Sequence, residues 1–428
     1  MKSNNFNKIE NKKDFVLSAI LDEYLSLPTV SAYRPIGEYN SVITRNQALD
    51  DIDELTYLME NRYCGKDYWE RHGVIFSEIY AKIRESLKEQ EQVYISDFCR
   101  LIHASFNCGI IDNHLGFASP LTGLLRFGLQ YLAYFADALV EEVNGQNIVI
   151  ESSSSKIPLG SVVDSADCLF PTLAPEGKKR FLIGKRSFQQ LKEITVIVNG
   201  KEINIAVHRC RASAKTEDYD ICMNSRNKNG IPILRSNCCD YVGGLTEQTD
   251  FISMGENYSD NNVLILNYLS NEGGYNRITR EFIQGLNGYV HAPEHSMKLI
   301  SPVTEGHDCK REWVTISTLT PYERDKGKFN GKLIMLVNSG TASSGETAVM
   351  YGRSVRDFIL IGENTMGCNT FGNVRGYTLK NSDIICRIPN VINLCENPAE
   401  CKEGYGFEPN YWVDSENVEE EVIKWLSY

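Results

Sequence analysis

Three uninterrupted apolar runs govern what this chain can fold into: Val263-Leu264-Ile265-Leu266, Leu333-Ile334-Met335-Leu336-Val337, which follows Lys332, and Phe358-Ile359-Leu360-Ile361. A strand with one wet face alternates apolar and polar residues, whereas a strand covered on both faces reads as continuous hydrophobicity. Between the first and second runs a helical pattern extends from Ile278 to Leu286. A helix is expected from Ser344 to Val355, between the second and third. Strand, helix, strand, helix, strand predicts a parallel α/β core over residues 262–363.

The rest of the chain reads differently. Leu49, Ile52, Leu55, Leu58 and Met59 recur at helical spacing, as do Ile75, Ile79, Ile83 and Leu87, so residues 46–108 are expected to be helical. The pattern continues as helix over 121–140. From about 147 the period drops to two. Ile194–Val198, the pair Asn199-Gly200 and Ile203–Val207 form a hairpin signature, because Asn-Gly supplies the positive φ angles of a two-residue turn. Residues 209–260 read as polar and irregular, and 288–330 as rich in loops. Three domains follow: 1–140 helical, 141–210 a small β-rich unit, and 211–428 the α/β core.

Charge and cysteine usage narrow the function classes. With 44 Lys+Arg against 56 Asp+Glu the formal net charge is −12. An acidic surface repels phosphate backbones, which argues against nucleic acid as a partner. The N-terminus is polar and charged with no apolar stretch behind it, unlike a secretory signal. Leu121–Val140 contains Arg126 and Asp137 and is not a membrane span. The 13 cysteines include no Cys-x-x-Cys pair. Together these features predict reduced thiols and a cytoplasmic protein.

Four segments are candidates for chemistry, each with a plainer reading beside it. Gly340-Thr341-Ala342-Ser343-Ser344-Gly345-Glu346 lies where a buried strand turns into a helix, so a hydroxyl there sits beside free helix N–H groups. Equally, Ser343-x-x-Glu346 is a capping box. Ser270-Asn271-Glu272-Gly273-Gly274 ends a strand at the sheet edge that holds ligands in open α/β folds, or is simply a tight turn. His114, in Asp112-Asn113-His114, is a general-base candidate or a hydrogen-bonded structural histidine. Glu403-Gly404-Tyr405-Gly406-Phe407-Glu408-Pro409-Asn410 offers a carboxylate that can orient a histidine, or is a solvated loop. Weaker alternatives are Ser153-x-x-Lys156, in a turn without companion motifs, and a zinc set of His291, His295, His307 and Cys309, in which Pro293 keeps the first two histidines off one regular helix face.

In this order the segments resemble the family of C-terminal-processing (tail-specific) serine peptidases, which includes the tricorn core protease and the retinoid-binding repeats of the interphotoreceptor protein. The likeness covers roughly residues 45–412. Leu264 to Gly274 is similar to the family's Leu-Asp-Leu-Arg-x-Asn-x-Gly-Gly strand and turn. Val337 to Glu346 looks like its nucleophile segment, Ile361 to Gly367 its Gly-Glu-x-Thr-x-Gly turn, and Glu403 to Asn410 its Glu-x-x-Gly-Val-x-Pro-Asp ending. The resemblance implies a crotonase/ClpP-like parallel core with an N-terminal helical bundle and a degenerate PDZ-like unit. It implies Ser343 as nucleophile, with the N–H groups of Ser344 and of Gly273 or Gly274 as oxyanion donors. One branch of the family places a Lys base directly after Thr-x-Gly, and here that position is Cys368. The tricorn-like branch uses a His supported by a hydroxyl and a late Glu, which matches His114 and Glu403, with Asn113 in place of the hydroxyl. Asn267-Tyr268-Leu269 stands where the family has Asp-Leu-Arg. The implied activity is cleavage of peptide or protein substrates through an acyl-enzyme, with no cofactor and with self-assembly left open. The alternative is a catalytically inactive member that binds a peptide or small apolar ligand.

Overall fold

A computed structural model describes residues 41–212, 223–242, 244–292, 294–305, 310–318, 320–321, 323, 326–395 and 402–427. The backbone divides into two compact units, each assembled from separated stretches of chain. One comprises Met1–Leu129, Pro293–Thr320 and Thr370–Gly404; the other comprises Gln130–Ala292, Pro321–Asn369 and Tyr405–Tyr428. No helix among the described residues is long and apolar enough to cross a membrane.

The second unit holds the α/β core. Val263–Asn267, Lys332–Val337 and Asp357–Gly362 pair in parallel, with Leu264 opposite Leu333 and Leu333 opposite Phe358. Helices Asn276–Asn287 and Ser344–Gly352 are the connections the apolar runs predict. Ile265, Ile334, Leu336 and Ile361 are at most 1% exposed and form one cluster with Trp412, Val418 and Val422. On the opposite face Leu264, Leu333, Met335 and Leu360 are at most 2% exposed, so the parallel sheet is buried on both faces, as continuous hydrophobicity requires. The stretch 209–260, which reads as irregular, contributes strands Met223–Lys228 and Ile231–Ser236 to the same sheet and a helix, Phe251–Glu256. The hairpin forms as expected: Glu193–Val198 pairs with Lys201–Ala206, and Asn199 and Gly200 take φ of 50° and 70°. The other strands of the β-rich stretch join the large sheet of the core, through Leu132–Val143 paired with Arg180–Ser187.

One expectation is overturned in this region. Residues 121–140 are not helical; they form strands Gly123–Phe127 and Leu132–Val143. The helical reading rested on a dense apolar run, and such a run does not distinguish a buried helix from a buried strand. Neighbours on both sides decide it here, since Leu132–Val143 pairs with Gln146–Ser152 and with Arg180–Ser187.

The first unit packs helices Arg45–Arg62, Phe76–Ser86 and Ile95–Phe106 around a core containing Ile52, Leu55, Phe98 and Phe106, all fully buried. Thr44 and Gln47 make a true capping box at the first helix. The unit also has a six-stranded sheet that includes Asp112–Ser119, Gly123–Phe127 and Ile385–Cys395. The nominal loop region 288–330 supplies two of its strands, Glu294–Ile300 and Glu312–Ser317. His114 sits on the strand Asp112–Ser119. Cys395 takes part in a disulfide, so the expectation of uniformly reduced thiols does not hold.

Candidate active site

In the second unit the turn after Lys332–Val337 brings the nucleophile candidate to a helix start. Ser343 has φ 53° and ψ −119°, a conformation that costs a non-glycine residue of order 1–3 kcal/mol and persists only where its surroundings impose it. The imposition is visible. Ser343 N–H donates to the Cys368 sulfur at 3.1 Å. Thr341 N–H donates to Asn338 O and Ala342 N–H to Asn271 O, both at 2.8 Å. A sharp strand-to-helix turn of this kind lifts a hydroxyl clear of the sheet.

The capping-box reading of Ser343 and Glu346 fails here, because Ser343 makes no side-chain cap hydrogen bond. Glu346 is fully buried and is used elsewhere: it accepts from Thr365 Oγ1 at 2.6 Å, Gly367 N–H at 2.9 Å and Cys368 N–H at 2.6 Å. Burial raises its pKa against these three donors, which lower it. Its carboxylate fixes the Thr365–Cys368 loop whose sulfur holds Ser343.

The two glycines have different work. Gly273 is at φ 99°, and a Cβ built there meets Ser343 Cβ at 2.7 Å and Ser344 N at 2.9 Å. Only glycine lets the backbone lie this close to the serine. Its N–H, however, donates to Asn271 Oδ1 at 2.9 Å. Gly274 accepts the Ser344 hydroxyl at its carbonyl oxygen, 2.6 Å away. Among the described residues the N–H groups of Gly274 and Ser344 make no hydrogen bond. A helix-start N–H left open beside a raised hydroxyl is what an oxyanion requires.

In the first unit the histidine candidate sits in a carboxylate cluster. Asp112 Oδ1 accepts the N–H groups of His114 and Leu115 at 2.8 and 2.9 Å. Its Oδ2 accepts from Tyr63 Oη at 2.9 Å, which in turn accepts from Trp69 Nε1 at 3.0 Å. Burial pushes the Asp112 carboxyl up to about 6. Glu403 accepts Asn113 N–H at 2.9 Å and Thr370 N–H at 3.1 Å. One donor atom each of Asp112, His114 and Glu403 lie within 4.8 Å of one another. His114 Nδ1 is buried and has no hydrogen-bond partner. Burial, with Arg387 and Arg126 adding to it, lowers the imidazole to about 4 and keeps it neutral near pH 7. Asn113 donates through Nδ2 to Leu129 O at 3.4 Å. Glu403 fixes the strand that carries the imidazole through its bond from the Asn113 N–H.

Ser343, Ser344, Gly273 and Gly274 are thus gathered in one unit, and His114, Asn113 and Glu403 in the other. Asp112, Asn271 and Glu346 orient the backbone around these groups, functions that the sequence motifs alone do not assign. Asp two residues before His, and Asn two before Gly, are side-chain-to-backbone turn signals that were available. Of the zinc candidates, His291 and His295 fall in different units, and His307 and Cys309 lie outside the described residues. Ser153 and Lys156 lie in a turn after strand Gln146–Ser152, where Lys156 donates to Asn204 O at 2.7 Å.

Residues 262–412, which span the three core strands, the glycine turn, Ser343 and the Glu403 loop, match the model of peptidase family S41. This segment belongs to peptidase family S41. The segment is accordingly similar to serine-type peptidases, hydrolases of the C-terminal-processing kind. No curated protein matches the sequence. Solved structures that resemble it do so distantly. Mature CPAF complexed with lactacystin is 13% identical with a TM-score of 0.48, covering 90% of this chain and 98% of that one. The photosystem II D1 C-terminal processing protease is 12% identical at 0.36, covering 86% and 93%. The tricorn protease is 14% identical at 0.40, covering 90% of this chain and 35% of its own.

Proposed function

We propose that the S41 peptidase hydrolyses peptide bonds with Ser343 as nucleophile and His114 as general base. A serine hydroxyl at its ordinary pKa is a poor nucleophile and needs a base beside it. Ser343 Oγ attacks the carbonyl carbon while the neutral imidazole takes the hydroxyl proton. The carbonyl oxygen becomes an oxyanion received by the N–H groups of Ser344 and Gly274. Gly274 is favoured over Gly273 because the Gly273 N–H is already spent on Asn271. The C–N bond then breaks, and the imidazolium gives its proton to the leaving amine. Water, deprotonated by the same imidazole, releases the acyl group and restores Ser343. Glu403 and Asp112 act as positioning residues, holding the backbone N–H groups of Asn113 and His114. Asn113 takes the place of a supporting hydroxyl in this scheme. The substrate is a peptide or protein segment.

The observation that carries this reading is the backbone of Ser343, held at positive φ with two open N–H groups beside it. A second reading, a relative that binds peptide without cleaving it, is favoured by one fact: Nδ1 of His114 has no hydrogen bond to fix its tautomer. Labelling with a fluorophosphonate probe decides between them. The hydrolase reading expects labelling that vanishes in Ser343→Ala and falls at least a hundredfold in His114→Ala. Undiminished labelling of Ser343→Ala refutes it, and an unlabelled wild-type chain supports the binding protein.

A further inference from the structure

We propose that the side-chain hydroxyl of Ser344 is a positioning group for the oxyanion site, holding the Gly274 peptide in place against the Ser344 N–H. The inference rests on the hydrolase reading above, in which these two N–H groups receive the oxyanion. Ser344 then has two tasks: its N–H is one donor, and its Oγ sets where the other donor lies. Ser344 Oγ donates to Gly274 O at 2.6 Å and joins segments 70 residues apart. Ser344 is 6% exposed, whereas Gly274 is exposed and sits at φ 139°.

The peptide geometry shows why this glycine needs holding. A trans peptide points its C=O and its N–H in opposite directions. Gly273 O accepts the Cys239 N–H at 2.8 Å, so the Gly274 N–H, on the same peptide, is turned away from Cys239. The next peptide is drawn between two elements. Its Tyr275 N–H donates to Cys239 O at 2.5 Å, and its Gly274 O, on the other side, accepts from Ser344 Oγ. Tyr241 stacks on Tyr275 with ring centroids 4.8 Å apart and braces the Cys239 side. A Cβ at Gly274 would lie 2.0 Å from Cys239 O, so the position is confined to glycine, whose backbone turns more freely than that of any other residue. The Ser344 hydroxyl ties this mobile residue to the nucleophile helix. An oxyanion donor acts at about 2.7–3.1 Å from the developing charge, and a misplacement of about 1 Å costs ~10² in rate.

The experiment uses the full chain and a fluorogenic peptide. In Ser344→Ala, kcat should fall at least tenfold while KM stays within threefold of wild type, the pattern of an interaction made only in the transition state. Affinity for a peptide boronic acid, whose adduct with Ser343 is a tetrahedral anion, should also fall at least tenfold. Ser344→Thr, which brings the hydroxyl back, should recover kcat at least fivefold over the alanine variant. Ser344→Cys keeps the volume and weakens the donor, so it carries the alanine expectation if Ser344→Ala fails to fold by circular dichroism. A kcat and boronate affinity within threefold of wild type in Ser344→Ala overturn the proposal. So does a loss expressed as raised KM, or a threonine variant no faster than alanine. Failure of the underlying reading looks different. A wild-type chain that fluorophosphonate does not label, or Ser343→Ala labelled as before, removes the hydrolase and this role with it. A labelled wild type beside an unaffected Ser344→Ala chain removes the role of the hydroxyl alone.

Discussion

Replacing Gly273 by alanine tests the nucleophile turn more sharply than removing the serine, because it adds one methyl group and deletes nothing. That methyl lies 2.7 Å from Ser343 Cβ, 2.9 Å from Ala342 O and 2.9 Å from Ser344 N. Two of the three are backbone atoms of the very turn that carries the hydroxyl, and no rotamer change moves them. The residue must also hold φ 99°, outside the region an L side chain adopts, at a cost of about 1–3 kcal/mol. Overpacking adds about 1–3 kcal/mol. The fold can relieve this strain only by moving Ser343 and the Ser344 N–H away from the glycine turn. Loss of one oxyanion donor costs about 10²–10³ in kcat. We therefore expect kcat/KM on a fluorogenic peptide to fall at least a hundredfold, with a melting temperature several degrees lower and a retained circular dichroism spectrum. Gly372→Ala is the control, since its Cβ meets nothing closer than 3.7 Å, and it should behave as wild type. Activity of Gly273→Ala within threefold of wild type would refute the claim that this glycine faces the reacting serine.

Three other outcomes follow from the same contacts. Glu346→Gln turns an acceptor toward two N–H groups into a partial donor, so it should lose about 1–3 kcal/mol of stability and at least tenfold in fluorophosphonate labelling rate, read by denaturant melts and a time course. Asp414 is buried, which by itself raises its pKa, but hydrogen bonds from Arg211 and His208 overcome this and hold it below the ordinary carboxylate range. A depressed carboxyl contributes stability that is present above its unfolded pKa of about 3.9 and is lost as pH falls through the folded value. The difference in melting temperature between wild type and Asp414→Asn should therefore be widest above about pH 4 and close below it. Cys108 is exposed, whereas Cys239 is buried and its thiol is pushed up to about 12, so iodoacetamide at pH 8 followed by peptide mapping should find Cys108 modified and Cys239 intact.

The parts of the fold that could be read from sequence are those whose signal is local. Val263–Asn267 and Lys332–Val337 announce themselves because both faces of the strand are buried, and Asn199-Gly200 because a two-residue turn has its own chemistry. Leu132–Val143 has the same dense apolar character with no Gly or Pro to break it, and only its pairing partners make it a strand. The strands Glu294–Ile300 and Glu312–Ser317 stayed hidden because they belong to a sheet completed by Ile385–Cys395, far along the chain.

The candidate site divides along the same line. Ser343 and the glycine pair sit at strand ends whose strands are visible in the sequence, so their place could be inferred from topology. The surroundings of His114 could not, for they are built by non-local hydrogen bonds: Glu403 reaches Asn113 across 290 residues and Tyr63 reaches Asp112 across 49. A side chain that orients a backbone N–H leaves no periodic trace, because it is one acceptor meeting one donor in a fold that must already exist. This explains why Asp112, adjoining Asn113 and two residues before a suspected base, carried no assignment until its neighbours were in place. It also separates two kinds of substitution. Changes at Gly273 or Ser343 act on a turn that the local sequence dictates. Changes at Tyr63 or Glu403 should alter the behaviour of His114 while leaving the nucleophile turn intact, a separation that fluorophosphonate labelling rate and melting temperature, measured on the same variants, would resolve.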